Sequence, residues 1–381
     1  MLKIAVEANV ELWDVDYHIL LQTVVERSEV QGKVKSAIEL LNMMALHHPV
    51  MGRLNAEMIQ TIVGGTVVRI SEDGHCGGCA QRLRSFDLSQ EERAVLVRDV
   101  VEKLVTPRVI CQSHYEPLVE VTEEEQTARW GIFNTFVTSM EHNDYDTLID
   151  GANLGYYGLN SWYSEAKVEL LKRKGVDPAT VPLKERNNVP FPVDVPPKFE
   201  TIEHARKSAA TRGRKPLIIL HERHIREAIG TNQTILEQWK ELNCVLASPH
   251  FLNDDYCWLY GSLKKPGTWI ITNDQMRDHH FLLLSQQMFI RWRQRHRITY
   301  KALHDRVSGT TTIALKFPKP FSVWVQTAAD NVETHWHVPF VSGIDILNQA
   351  TNKTEFTPSD FGLHKDGDDE CSSWLCTVKN P

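Results

Sequence analysis

Asp150, Asp254, Asp255, Asp274 and Asp278 all fall at or just beyond short apolar runs that read as β-strands. Asp150 closes DTLID (146–150) and is followed by a flexible GAN. Asp254 and Asp255 come after NCVLASP (243–249) and open a helical stretch. Asp274 closes TWIITND (268–274), with Asp278 one helical turn further on. In an open parallel sheet, ligands bind beyond the carboxyl ends of the strands. Three of the four predicted strands would therefore deliver acid to one rim, PLIILH (216–221) being the fourth. Clustered carboxylates repel one another and resist desolvation unless a cation sits among them. All-oxygen donors in this number suit Mg²⁺ or Mn²⁺, which keep several waters and fill the rest of their shell from phosphate. Two such ions about 4 Å apart are able to activate a water and stabilise a leaving oxygen in phosphodiester hydrolysis. Singly, Asp254 and Asp255 also read as a helix cap and Asp278 as a solvated helix face. Three strand ends supplying acid together favour the metal.

A second constellation is HCGGC (75–79), which sets Cys76 and Cys79 at the spacing of a zinc knuckle. A redox pair would need a strand-to-helix setting that this segment lacks. Tetrahedral zinc requires two more ligands, and His335, His337, Cys371 and Cys376 are the candidates toward the C-terminus. Spacing does not choose among them. Either choice would join two pieces of chain that are far apart in sequence. Cys111, Cys244 and Cys257 lie in or beside apolar runs and read as small buried hydrophobes.

The elements that would position these groups follow from periodicity. Residues 1–62 read as helices only. In 14–30 and 33–49 the apolar side chains recur at helical spacing, resembling one helical-hairpin repeat of about 35 residues. In 63–145 and 305–381 short β-like runs (66–70, 311–317, 321–327 and 336–341) are broken by Gly and Pro. One helix, SQEERAVLVRDVVEKLV (89–105), has Ser89 as N-cap and Glu92 three residues on. Residues 146–304 alternate strand and helix, which means a parallel sheet covered on both faces. The expected fold class is multidomain α plus α/β. It comprises a short helical arm (1–62), a zinc-joined β-rich domain (63–145 with 305–381) and a parallel-sheet α/β domain (146–304).

The chain has 381 residues, 42% of them apolar and 24% charged, a globular balance that excludes wholesale disorder. A formal net charge of −7 argues against coating nucleic acid by bulk positive charge. Two basic tracts qualify that sum. Seven Lys or Arg lie between 203 and 226, and six between 287 and 306, the latter interleaved with Trp292 and Tyr300. Placed beside an acidic rim, such cations would hold a polyanion over metals. Seven cysteines, an odd number, do not suit a secreted disulfide framework. No run approaches the 18 or more apolar residues of a membrane span. The first thirty residues resemble neither a signal nor a transit peptide, so an intracellular address is expected. Neither a phosphate-cradling Gly-rich loop nor a GxSxG elbow follows any strand.

DGANLGYYG (150–158), NDDYCWLY (253–260) and TNDQMRDHHFLLL (272–284) resemble the NYN-type, PIN-like metallonuclease domain of protein-only RNase P. WHVPF (336–340) and WLC (374–376) resemble the zinc-bound central domain of the same family, and the helical first sixty residues its pentatricopeptide-repeat arm. The resemblance implies that Asp150, Asp254, Asp255 and Asp274 bind catalytic Mg²⁺ or Mn²⁺, with Asp278 and His279 supporting the same site. It implies that His337 and Cys376 complete a structural Zn²⁺ site with Cys76 and Cys79. The implied reaction removes the 5′ leader of precursor tRNA and leaves a 5′-phosphate and a 3′-hydroxyl. The implied address is nuclear or mitochondrial. This chain departs from the family in two places: the repeat arm holds little more than one unit, and the Pro-rich segment 173–199 is an insertion. The rival expectations are a nuclease for another structured RNA, and an RNA-binding scaffold with an inactive nuclease domain. The complete set of acids argues against the scaffold.

Overall fold

In a computed structural model of the chain, the described residues are 14–26, 29–47, 50–110, 119–157, 171, 175–181, 196–274, 286–304, 311–328, 335–341 and 373–377. They divide into two compact units. One takes in 1–88, 285–295 and 318–381, and the other 89–284 with 296–317.

The second unit is built on a six-stranded sheet. Its spatial order is Thr311–Lys316, Arg297–His304, Trp269–Ile271, Thr147–Asp150, Pro216–His221, Val245–Ser248. The last five run parallel, and Thr311–Lys316 pairs antiparallel at the edge. A parallel sheet is covered on both faces, so its central strands are near-continuous apolar runs. Leu217, Ile218, Ile219 and Leu220 are accordingly all buried. On one face Phe199, Ile202 and Trp239 pack with Ile149, Ile218, Leu220 and Ile298. These side chains come from helices Phe199–Ala210 and Thr231–Glu241 and from the sheet. Helix Asp254–Lys264 packs against the Thr147–Asp150 strand and helix Gln90–Asp99. Tyr260 meets Phe133 of helix Glu123–Glu141 edge to face at 5.1 Å.

Helix Gln90–Asp99 starts where its capping box expects. Ser89 Oγ accepts from Glu92 N at 3.1 Å, and Glu92 Oε2 accepts from Ser89 N at 2.9 Å. It continues as a π-helical turn over Val100–Val105. From Thr147–Asp150 the chain steps outward to Pro216–His221 and Val245–Ser248, then crosses back to Trp269–Ile271 on the other side. That reversal opens a crevice beyond Asp150.

In the first unit, helices Asp14–Val25, Val30–His47 and Arg53–Val63 share one apolar core with the C-terminal strands. Tyr17, Leu21, Leu41, Met44 and Ile59 pack with Trp336, Val338, Phe340 and Leu375. The sheet order here is Met51–Gly52, Trp336–Val341, Ser373–Cys376, Thr66–Val68. Of the apolar run 321–327, only Gln326–Thr327 pairs as a strand. Side-chain bonds take the place of a ladder: Ser322 Oγ accepts from Phe86 N at 2.8 Å, and Gln326 Oε1 from Arg84 N at 2.8 Å. Thr311–Lys316, whose texture resembles these C-terminal runs, instead edges the parallel sheet and adds Ile313 and Leu315 to its core. Among the described residues no helix is long and apolar enough to cross a membrane.

Candidate functional site

Asp150 leaves the central strand and caps the short helix Gly151–Gly155, its Oδ1 accepting from Asn153 N at 3.0 Å. Its Oδ2 accepts from Thr272 Oγ1 at 2.7 Å, and that same hydroxyl accepts from Asp274 N at 2.9 Å. One threonine therefore ties together the ends of two adjacent strands. Gly151 makes the tight exit possible, because a Cβ there would come within 2.8 Å of Ile219 O. Asn153 fixes the next layer. Its Oδ1 accepts from Asn273 N at 3.0 Å and from Tyr300 Oη at 2.6 Å, and Asn273 Nδ2 donates to Tyr300 O at 2.9 Å.

Asp254 and Asp255 begin their helix under an N-cap from Asn253, whose Oδ1 accepts from Asp255 N at 3.4 Å and whose Nδ2 donates to Asp255 Oδ2 at 3.0 Å. Asp150, Asp254, Asp255 and Asp274 line one cavity of about 760 Å³, with Asn153, Tyr156, Tyr157, Asn253, Asn273, Tyr300 and Arg223. Asp278 and His279 lie outside the described residues.

The electrostatics of this cavity are unfavourable as they stand. Asp150 is 1% exposed, and burial, then the charges of Asp255 and Asp254, push its carboxyl well above the usual range despite its two hydrogen bonds. Burial and Asp255 lift Asp254 to about 7. Asp254 Oδ2 is buried with no hydrogen-bond partner. A buried carboxylate oxygen left unpaired among like charges is expensive, and a cation relieves both penalties together. The donors are all hard oxygens, so the residues present fit magnesium or manganese.

The basic tracts are placed differently from what their neighbourhood in sequence suggests. Arg206 is spent on Glu203, donating to both carboxylate oxygens at 2.7 and 2.8 Å. Arg212 lies over Phe317, Arg214 over Trp269, and Lys215 pairs with Asp144. Lys215 directly precedes the Pro216–His221 strand, so these cations sit at the amino-terminal edge of the sheet, opposite the acids. In the second tract Arg293 and Arg297 are buried, and Arg295 Nη1 donates to Lys319 O at 2.9 Å. Of both tracts only Arg223 and Tyr300 line the carboxylate cavity.

In the first unit Cys76, Cys79, His337 and Cys376 bring one donor atom each to within 4.8 Å of one another. His337 and Cys376 are direct cross-strand partners. Cys79 Sγ lies 3.3 Å from His337 Nε2, and Gly78 N donates to Cys76 Sγ at 3.4 Å. Cys376, with help from His337, holds the Cys76 thiol down at about 3, whereas burial raises Cys79. These four Cys and His side chains form a possible metal site. His335 is not among them; its ring lies 5.3 Å from that of His337. Cys371 lies outside the described residues. Gly65 holds the neighbouring turn at φ +118°, where a Cβ would meet Cys376 O at 2.5 Å.

Three comparisons show what the chain is similar to. A family model for protein-only RNase P matches residues 195–356. Proteinaceous RNase P 3 of Arabidopsis thaliana is 26% identical over 275 residues, which are 72% of this chain and 39% of that protein. Proteinaceous RNase P 2 of the same plant is 28% identical over 273 residues, covering 71% of this chain and 42% of that one. Over these segments the chain is similar to protein-only RNase P. The crystal structure of nuclear proteinaceous RNase P 2 (PRORP2) from A. thaliana superposes with a TM-score of 0.55 at 20% identity. It covers 97% of this chain and 67% of that one, a likeness of fold. The chain spans about two fifths of the length of the curated relatives it matches. The protein-only RNase P match takes in Asp254, Asp255, Asp274 and His337, and leaves Asp150, Cys76, Cys79 and Cys376 outside its bounds.

Sequence reasoning did not single out Asn153, Thr272 and Asn273, although each stands inside a motif that carries an acid. A short polar side chain immediately beside a strand-end aspartate was the available signal. In sequence Arg223 is one of seven cations between 203 and 226, with nothing local to set it apart.

Proposed function

We propose that this chain is a metal-dependent endoribonuclease that removes the 5′ leader of precursor tRNA. The observation that carries the reading is Asp254. Its Oδ2 is buried without a partner in a cavity it shares with Asp150, Asp255 and Asp274. A cation would relieve that arrangement, which opens at the switch point where α/β sheets bind ligands. The protein-only RNase P match supports the substrate.

In the proposed reaction a water oxygen attacks phosphorus in line. The bond from phosphorus to the leader's 3′ oxygen breaks, and the proton released on attack is balanced by the one that the 3′ oxygen takes up. The tRNA keeps a 5′-phosphate. Magnesium held by Asp150, Asp254, Asp255 and Asp274 would supply Lewis acidity and offset the charge that accumulates on the phosphate oxygens. The chain's own part is positional. Thr272 locks Asp150 to the backbone of Asp274, and Asn253 fixes Asp255 at its helix start. Asn153, Asn273 and Tyr300 hold the floor beneath them. Asp278 and His279 belong to the same site in this reading.

Zinc held by Cys76, Cys79, His337 and Cys376 would be structural in the same proposal, because four protein donors would leave it no open position for substrate. The three-part division into arm (1–62), zinc-joined domain (63–145 with 305–381) and nuclease (146–304) goes with it, as does a nuclear or mitochondrial address. The test is to incubate the protein with a precursor tRNA and Mg²⁺ and to map the cut. Cleavage at the leader junction is expected, with loss on the order of a hundredfold or more in Asp274→Ala. No cleavage by the unmodified chain, or an unchanged rate in Asp274→Ala, overturns the proposal.

A further inference from the structure

Three of the four central strands that end at the cavity deliver acids. The strand that does not, Pro216–His221, delivers a cation. It runs directly into the short helix Glu222–Arg226, and Arg223 is the one Lys or Arg among the residues lining the carboxylate cavity. Of the other cations of that tract, Arg206 and Lys207 pair with Glu203, Arg226 pairs with Glu227, and Arg212, Arg214 and Lys215 lie at the opposite edge. Arg223 is exposed, and among the described residues its guanidinium makes no ion pair, although four carboxylates share its cavity.

It is nonetheless held. Arg223 Nε donates to His224 Nε2 at 3.2 Å, and the Arg223 backbone N–H donates to His221 Nδ1 at 3.2 Å. His224 is buried, with Tyr156 edge-on to its ring at 5.7 Å, so the acceptor is itself fixed. A guanidinium anchored through Nε keeps its two terminal nitrogens free as a planar fork, the shape that grips two phosphate oxygens at once. A cation paired with a carboxylate would already have spent that fork.

We propose that Arg223, anchored on His224 Nε2, contacts a non-bridging oxygen of the phosphodiester being cut and sets that phosphate in register with the four aspartates. His224 is then a positioning residue that acts only through Arg223. This rests on the nuclease reading above and adds the group that grips the scissile phosphate.

The experiment is single-turnover cleavage of a precursor tRNA at saturating enzyme with Mg²⁺, alongside binding of the same RNA with Ca²⁺ in place of Mg²⁺. Wild type, Arg223→Gln, Arg223→Lys, His224→Phe and the double variant Arg223→Gln/His224→Phe are compared. Arg223→Gln should lose cleavage rate on the order of tenfold to a hundredfold, with binding changed by less than about threefold. Arg223→Lys should fall between it and wild type, because an ammonium offers charge without the fork. Guanidinium ion added to Arg223→Gln should restore part of the rate. The double variant should be no slower than Arg223→Gln alone, because in this proposal His224 acts through Arg223.

The proposal is overturned by an Arg223→Gln rate within twofold of wild type. It is equally overturned by a loss that guanidinium does not restore and that comes with a lowered melting temperature, or by losses from the two sites that simply add. An inactive wild type would instead bring down the nuclease reading itself, so the two failures are distinguishable.

Discussion

At the residue scale, Asp150 is fixed by two hydrogen bonds, one from Asn153 N and one from Thr272 Oγ1. Asp150, Asp254, Asp255 and Asp274 announce themselves because an acid at the end of an apolar strand is costly and rarely idle. Thr272 and Asn153 carry no such mark: a threonine or asparagine beside a strand end reads as ordinary turn chemistry until its partners are known. His224 shows the same limit and leads to a prediction. Burial, then the charge of Arg223, holds its imidazole down to about 4 from an ordinary value near 6.5. The folded chain therefore resists protonating it, while the unfolded chain binds that proton below about 6.5. The stability this group contributes is complete above about 6.5 and is lost as pH falls toward 4. Melting temperature measured from pH 7.5 down to 4.5 should drop, and it should drop less steeply in His224→Phe. Parallel curves for the two proteins would refute the assignment.

At the element scale, the alternation of strand and helix in 146–304 made a parallel sheet readable, because period and length survive in sequence. Which edge a cation ends on did not survive. Arg212, Arg214 and Lys215 stand only a strand's length from Arg223, and a strand separates opposite edges of a sheet. A charge reversal tests the distinction: Arg214→Glu with Lys215→Glu should leave the single-turnover cleavage rate within about twofold, since the pairs it removes, with Asp146 and Asp144, are at the far edge of the sheet. A tenfold loss of rate would show that the amino-terminal edge also reads substrate. Gly151 tests the exit from the central strand. Alanine there meets Ile219 O, so Gly151→Ala should destabilise the protein by about 1–3 kcal/mol and lower activity as Asp150 shifts, read by denaturant titration and by the cleavage assay. The run 321–327 is the opposite lesson. Its alternation reads as strand, yet Ser322 and Gln326 supply the partners that a ladder would have supplied.

At the scale of the whole molecule, the net charge of −7 reads differently once the acids are placed. Asp150, Asp254, Asp255 and Asp274 account for up to four of the negative charges, and they are gathered in one cavity rather than spread over the surface. The C-x-x-C knuckle could be read from spacing, but His337 and Cys376 become its neighbours only through antiparallel strand pairing, which no local pattern encodes. Metal analysis should find about one zinc per chain. Cys79→Ser should lose it and lower stability by several kcal/mol, on the order of what structural zinc gives small domains. Folded, zinc-free protein of unchanged stability would contradict the assignment. Cys79 lies 258 positions before His337, and Ser373–Cys376 pairs with both Trp336–Val341 and Thr66–Val68. On the ribosome, residues 89–317 emerge between Cys79 and His337, so every segment of the parallel-sheet unit is available to fold while the Cys and His cluster still lacks two of its four donors. A message stopped anywhere between residues 318 and 370 would yield all four aspartates of the cavity but never Cys376.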